Sequence, residues 1–388
     1  MIEQLIHTML LLIRAEVCGI ALPKTVREGI SPEMLPKLYT LSKTHDMAHI
    51  VADALGKLGV SFEDEIGKKF KKQYLAALYR YRCSEYELSR ITELFEREGI
   101  RHVPLKGAVL RNHYGEPWMR TSCDLDVLIN EQDLDRATQA LVEALEYDNR
   151  GRAAYDVQLF SPSGVHVELH YGLKEDSRIP SSAAVLEAIW EHTASRQEGS
   201  FLFAMSDEMF YFYHVAHMAK HFETGGCGIR PFLDLWVLER RVEHDRARRD
   251  ELLEKGGLLT FANVCREVAF SWFEDAEPRE TGRAMQDFIL RGGVYGSVDN
   301  RVAVQRNRRT GKFAYALSKI WLPFDSLKYQ YPVIKKHKWL TPLMQIRRWL
   351  RIVLRGKVNR SLRELNVNRN MSDVQLEGAA DLIKKLGL

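Results

Sequence analysis

The sequence predicts an α+β fold: helical regions flank a small mixed or antiparallel sheet. Three observations carry this expectation. Apolar residues recur at helical spacing as far as Gly99, alternate in short period-two runs to about Met205, and return to helical spacing from Asp207. At 388 residues the chain exceeds one ordinary compact core. Four regions are expected: an N-terminal helical region over 1–98, an α+β core over 99–206, a helical region over 207–290, and a linker with a basic helical region over 291–388.

The clearest N-terminal helix runs from Asp64 to Glu98, with Ile66, Phe70, Tyr74, Leu78, Tyr81, Leu88, Ile91 and Phe95 on its apolar side and Gly99 as its stop. Strands are expected at Arg101–Leu105, Asp124–Ile129, Tyr155–Phe160, Val165–Tyr171 and Phe201–Met205. Asn130 or Asp133 caps a helix whose apolar face is Leu134, Ala137, Leu141 and Leu145, and Ser161 to Gly164 has the composition of a hairpin turn. Helices continue from Asp207 to about Leu290, and Arg291 to Ser297 reads as a linker. Beyond it, Thr341 and Pro342 open a cationic helix with Leu343, Ile346, Leu350 and Val353 on one side, expected to pack against the rest of the protein. Ser372 and Gln375 cap a last short helix.

Hydrophobic residues make up 45% of the chain, enough for real cores, and no long tract has the composition of a disordered segment. Five scattered cysteines form no zinc-site or disulfide pattern, which points to a reducing, cytoplasmic setting. Charges interrupt the first twenty residues, so no signal peptide is expected, and no stretch has the apolar length of a membrane span. The net charge is only +4, yet residues 301–360 hold sixteen Lys or Arg against one acid.

Asp124 and Asp126 stand two apart in a strand, so both carboxylates project from one face. Leu125, Val127 and Ile129 mark the opposite face as core, and two like charges beside a core are costly unless a cation offsets them. In the strand after the hairpin, Val165, Val167, Leu169 and Tyr171 face the core while His166, Glu168 and His170 form a polar stripe. Glu168 is thereby the expected third acid. The competing reading of the stripe is the wet side of an edge strand.

Leu105-Lys106-Gly107, then Arg120-Thr121-Ser122-Cys123-Asp124-Leu125-Asp126-Val127-Leu128, then Glu168-Leu169-His170 together resemble the uncharacterised bacterial nucleotidyltransferase family of the DNA polymerase β superfamily. The resemblance runs from about Ile100 to Tyr171 and, more weakly, to the helices bearing His214, His217, His221, Arg230, Pro231 and Asp234. It implies a polymerase β-like core in which Asp124, Asp126 and Glu168 hold Mg2+, or Mn2+, and catalyse transfer of a nucleoside monophosphate from an NTP to an acceptor hydroxyl with release of pyrophosphate. Ala108 stands where most of that superfamily carries Ser or Gly, so the phosphate-binding hydroxyl is missing. Lys106, Gly107, Arg120 and Ser122 are the expected replacements, and His217 and Arg230 are expected to help form the nucleotide pocket. His214, His217 and His221 fall along one helix face, and Arg230 and Asp234 have the spacing of an intrahelical ion pair.

The acceptor is a small molecule, a peptide or protein side chain, or RNA. Two rival functions stand beside transfer: a non-catalytic nucleotide-binding or regulatory module, and a nucleic-acid or membrane-surface binding protein that uses the basic C-terminal region, with its interleaved Trp321, Tyr329, Tyr331, Trp339 and Trp349.

Overall fold

The computed structural model describes residues 2–153, 155–174, 179–292, 298–307, 317, 320–331, 333–354, 364 and 366–388. The linker expected at Arg291–Ser297 lies outside the described residues from Gly293 onward.

The architecture is α+β. A five-stranded mixed sheet, β1 (His102–Pro104), β2 (Asp124–Ile129), β3 (Asp148–Arg152), β4 (Asp156–Phe160) and β5 (His166–His170), has the order β1-β2-β5-β4-β3. Only the central pair, β2 and β5, is parallel. The turn at Ser161–Gly164 makes β4 and β5 a hairpin, with Ser161 N donating to Val165 O and Gly164 at φ +84°. The strand carrying the polar stripe is therefore interior, which rules out the edge-strand reading.

Alternation divides the sheet into two faces. Leu125, Val127 and Ile129 of β2, Val157 and Leu159 of β4, and Val167 and Leu169 of β5 form one core with Leu134, Ala137 and Leu141. The last three come from helix α2 (Leu134–Leu145), which follows a 3-10 turn at Glu131–Asp133, and neither Asn130 nor Asp133 caps it through a side chain.

Helix α1 (Glu65–Glu98) links this core to a larger helical one. Asp64 caps it by accepting from Gly67 N at 2.6 Å, and Gly99 ends it at φ +66°. Its C-terminal residues Ile91, Leu94 and Phe95 join the sheet core, whereas Phe70 and Ala77 belong to the helical core. That second core includes helices α3 (Asp207–Thr224) and α4 (Arg230–Arg241). Residues of Val298–Asn307 and of the capped helix Asp373–Lys385 also pack into it.

Several expectations are corrected. β3 was not expected: Asp148-Asn149-Arg150-Gly151-Arg152 has no apolar residue and is exposed throughout, so its strand form comes from pairing with β4, and the Arg152 guanidinium lies 4.4 Å from the Tyr171 ring centroid. The run near Phe201 gives β7 (Phe203–Met205), which pairs with β6 (Thr193–Ser195) in a separate two-stranded sheet. Arg230 and Asp234 are not paired. Arg230 reaches Asp46 at 2.8 Å, and Asp234 accepts from Arg120 Nε at 2.6 Å and the Tyr114 hydroxyl at 2.7 Å.

The cationic helix α5 (Thr341–Leu354) forms as expected, but Leu343, Ile346 and Leu350 face outward. The Val353 side chain lies outside the described residues. A small third core of Leu327, Tyr331, Ile334 and Met344 holds α5 from its other side.

Candidate active site

On the face of the sheet opposite the α2 core, register sets polar side chains in rows. Asp124 pairs with His166, Asp126 with Glu168, and, across the hairpin, Glu168 with Gln158 and His170 with Asp156. Four carboxylates and two imidazoles thus come from three adjacent strands. The β1–β2 pairing extends one step, Leu105 N donating to Asp126 O at 3.0 Å, and this sets Lys106 beside the acids.

Asp126 is the hub. It is buried, and its Oδ1 accepts from Lys106 Nζ at 3.1 Å and from His170 Nε2 at 2.7 Å. Burial pushes its carboxyl up, but the Lys106 charge and the His170 bond outweigh this and hold it well below the usual carboxylate range. Against its own burial, His170 is pushed up to about 9 by its bonds to Asp126 and Glu168. The His170 bond holds Glu168 low. Asp124 moves the other way: burial, then repulsion from Asp126, raises its carboxyl. Asp156 is raised by burial and by Glu168, and its Oδ1 has no hydrogen-bond partner among the described residues.

Lys106 has φ +43°, a conformation unfavourable for a residue with a Cβ. Gly107 follows it, and a Cβ there would lie 3.1 Å from Ser122 Cβ and 3.5 Å from Arg120 Nη1. The Lys-Gly pair therefore combines a turned backbone with close approach to the segment that leads into β2.

Helix α3 covers this side of the sheet. Lys106, Arg120, His217 and Arg230 line one pocket, together with His45, Tyr213, His214, His221 and Asp234. Arg120 and Arg230 are held there by Asp234 and Asp46. His217 and His221 face one another with Nε2 atoms 3.0 Å apart. Burial, reinforced by Lys106 at His217 and by His217 at His221, pushes both down to about 3, so both are neutral at pH 7. Burial and Lys106 also bring Lys220 down to about 8. Ser122 stands apart from the pocket, packed on Gly107 and 3.4 Å from Arg111 Nη2.

Three acids of the sequence reading thus share one face, and four of its six nucleotide-site residues share the adjoining pocket. His170 and Asp156 were not assigned roles from sequence. His170 has the same strand parity as Glu168, and the hairpin turn fixes Asp156 opposite His170, so both were open to inference once the turn was placed.

Ligand atoms of Asp126, Glu168 and His170 lie within 4.8 Å of one another, a spacing that suits a single cation once His170 gives up its proton. Acids on two adjacent parallel strands, with a Lys-Gly turn at their side and a helix-walled pocket beyond, define a nucleotidyltransferase core. The sequence model of a family described as "Uncharacterised nucleotidyltransferase" matches residues 31–274, more than half of the chain, and the protein belongs to that family. Comparison with curated proteins and with solved structures gave no match.

Proposed function

We propose that the protein transfers a nucleoside monophosphate from an NTP to an acceptor hydroxyl and releases pyrophosphate. The observation that carries this reading is the register of β2 and β5, which sets Asp126 beside Glu168 with Asp124 one step away on the same face. The face fits divalent cations: carboxylate oxygens are the donors Mg2+ and Mn2+ prefer, and Asp126 and Glu168 bring theirs close together on adjacent strands. Asp124, Asp126 and Glu168 would hold the ions, which supply charge neutralisation at the α-phosphorus and activation of the acceptor oxygen.

The remaining work falls to the chain itself. The pocket behind Lys106 takes the nucleotide, with neutral His217 and Arg230 in its wall. Lys106 draws the phosphates toward the acids, and the bare Gly107 lets them approach the backbone. As the acceptor oxygen bonds to the α-phosphorus, the bond to the departing pyrophosphate breaks, and Asp156, whose Oδ1 has no hydrogen-bond partner among the described residues, is placed to take the hydroxyl proton.

Pyrophosphate release with each of the four NTPs, Mg2+ or Mn2+, and a small-molecule, peptide or RNA fraction as acceptor tests the proposal. Wild-type protein should release pyrophosphate only with metal and acceptor present, and Glu168→Gln should reduce release at least about a hundred-fold. NTP binding without pyrophosphate release under any of these conditions would instead make the protein a nucleotide-binding module.

A further inference from the structure

Helix α5 is built inside out. Taking about 100° per residue, Leu343, Ile346, Leu350 and Leu354 fall within an arc of about 80°. These four side chains are 54%, 58%, 58% and 85% exposed. The opposite side is buried although much of it is polar: Gln345 Nε2 donates to Leu322 O at 2.7 Å and Arg348 Nη2 to Ile320 O at 2.7 Å. These bonds fix the rotation of the helix, so the aliphatic arc stays outside. Just before α5, Trp339 is 76% exposed, and Val333, Leu350 and Leu354 line a hollow beside the arc.

Arginines border this surface. Arg347 is exposed and Arg351 partly so, both with their guanidinium groups near the Tyr331 ring, and residues 301–360 carry fifteen more positive than negative charges. An exposed aliphatic stripe edged by guanidinium groups, with a tryptophan at one end, matches an interfacial helix, whose apolar side enters the acyl boundary while its cations meet acidic headgroups. Among the described residues no helix is long and apolar enough to cross a membrane.

We propose that α5 and Trp339 dock the protein onto an anionic lipid surface. Two other occupants fit less well. Single-stranded nucleic acid stacks its bases on aromatic rings, which leaves four exposed aliphatic side chains without a role. A second copy of this chain packed antiparallel on the stripe would bring Arg347 and Arg351 to the same edge as those of its twin, setting like charges together.

The test uses the full chain and two vesicle compositions, phosphatidylcholine alone and phosphatidylcholine mixed with phosphatidylglycerol. Wild-type protein should sediment with the mixed vesicles and stay in solution with the neutral ones. Ile346→Gln combined with Leu350→Gln, and separately Arg347→Gln combined with Arg351→Gln, should each weaken vesicle binding at least about ten-fold. All four positions lie at or near the surface, so circular dichroism melting should be unchanged in both variants, which separates lost docking from lost folding. Failure to sediment with mixed vesicles, equal binding to both vesicle types, or unaltered binding by the aliphatic variant would overturn the proposal. So would dimerisation through α5 detected by light scattering, or salt-sensitive retention on RNA that the aliphatic substitutions leave intact.

Discussion

Asp124 and Asp126 belong to one motif, yet their surroundings predict opposite responses to neutralisation in metal-free protein. Asp126 is the counterion of Lys106 and His170. Asp126→Asn leaves both without it. For His170 the upper bound follows from its rise from an ordinary 6.5 to about 9, which Asp126 shares with Glu168: at pH 7 that shift contributes about 2–3 kcal/mol. The side chains of His170 and Asp126 are each 3% exposed, so little solvent screening reduces this figure. Loss of one partner from a buried pair costs about 3–5 kcal/mol, and release of the His170 proton places this case at the lower end. With an unfolding entropy of about 2.1 cal/mol/K per residue over 388 residues, Asp126→Asn should lower Tm by about 4 °C.

Asp124→Asn should raise Tm, because the carboxyl it replaces is held up by burial and by repulsion from Asp126. An acid with a raised native value costs stability above that value, and the amide removes the cost. Differential scanning calorimetry at pH 7 in EDTA measures both variants. A shift of the same sign and size in the two would refute the assignment of Lys106 and His170 as partners of Asp126 rather than of Asp124. Repeating the scans in Mn2+ should reverse the order for Asp124, since wild-type protein gains binding energy that either amide forfeits.

Other outcomes follow from individual contacts. The contribution of His170 is fully present below about pH 6.5 and lost as pH rises through about 9, so metal-free wild-type protein should lose stability across that window while His170→Gln shows a flatter profile in urea titrations. Gly107→Ala sets a methyl about 3.1 Å from Ser122 Cβ and should destabilise by about 1–3 kcal/mol, with Ser122→Gly in the same chain restoring much of the loss; a neutral single variant would show that the turn has room to spare. Asp234→Ala strands the buried Arg120 charge and should cost about 3–5 kcal/mol in urea unfolding, whereas an effect under 1 kcal/mol would mean that Arg120 finds another partner.

The acids were legible in the sequence because a strand writes its faces in parity. Asp124, Asp126 and Glu168 sit between apolar neighbours at period two, and no tertiary knowledge is needed to see that they share a side of their strands. Their counterions were harder to read. Lys106 meets Asp126 because β1 pairs with β2 one residue further than the strand itself, a register that depends on a turn with positive φ at Lys106. Asp46 and Arg230, 184 positions apart, meet only through the packing of the N-terminal helices on α4, and nothing local in the sequence favoured that contact over the i,i+4 pair with Asp234. The exposed arc of α5 was misread for a related reason. Periodicity shows that a helix has an apolar side, but not whether that side is turned toward the protein.

Whether the stripe His166-Glu168-His170 faced water or a site depended on what lies over the sheet. Helix α3 supplies the answer, and its composition carried a clue. Around its circumference Met209, Tyr211, Phe212, Tyr213, Val215, Met218 and Phe222 are all buried, so it has no wet face wide enough for an ordinary surface helix. A helix apolar nearly all round must be covered on more than one side, and the basic and imidazole groups in its middle, His214, His217, Lys220 and His221, are then drawn toward the interior, where they need polar company. The carboxylate face of the sheet provides it: Lys220 senses Glu168 and Asp156, and His217 senses Asp126 and Asp124. Polar groups on a mostly buried helix and acids on an apolar strand are each costly alone, and bringing the two together offsets both.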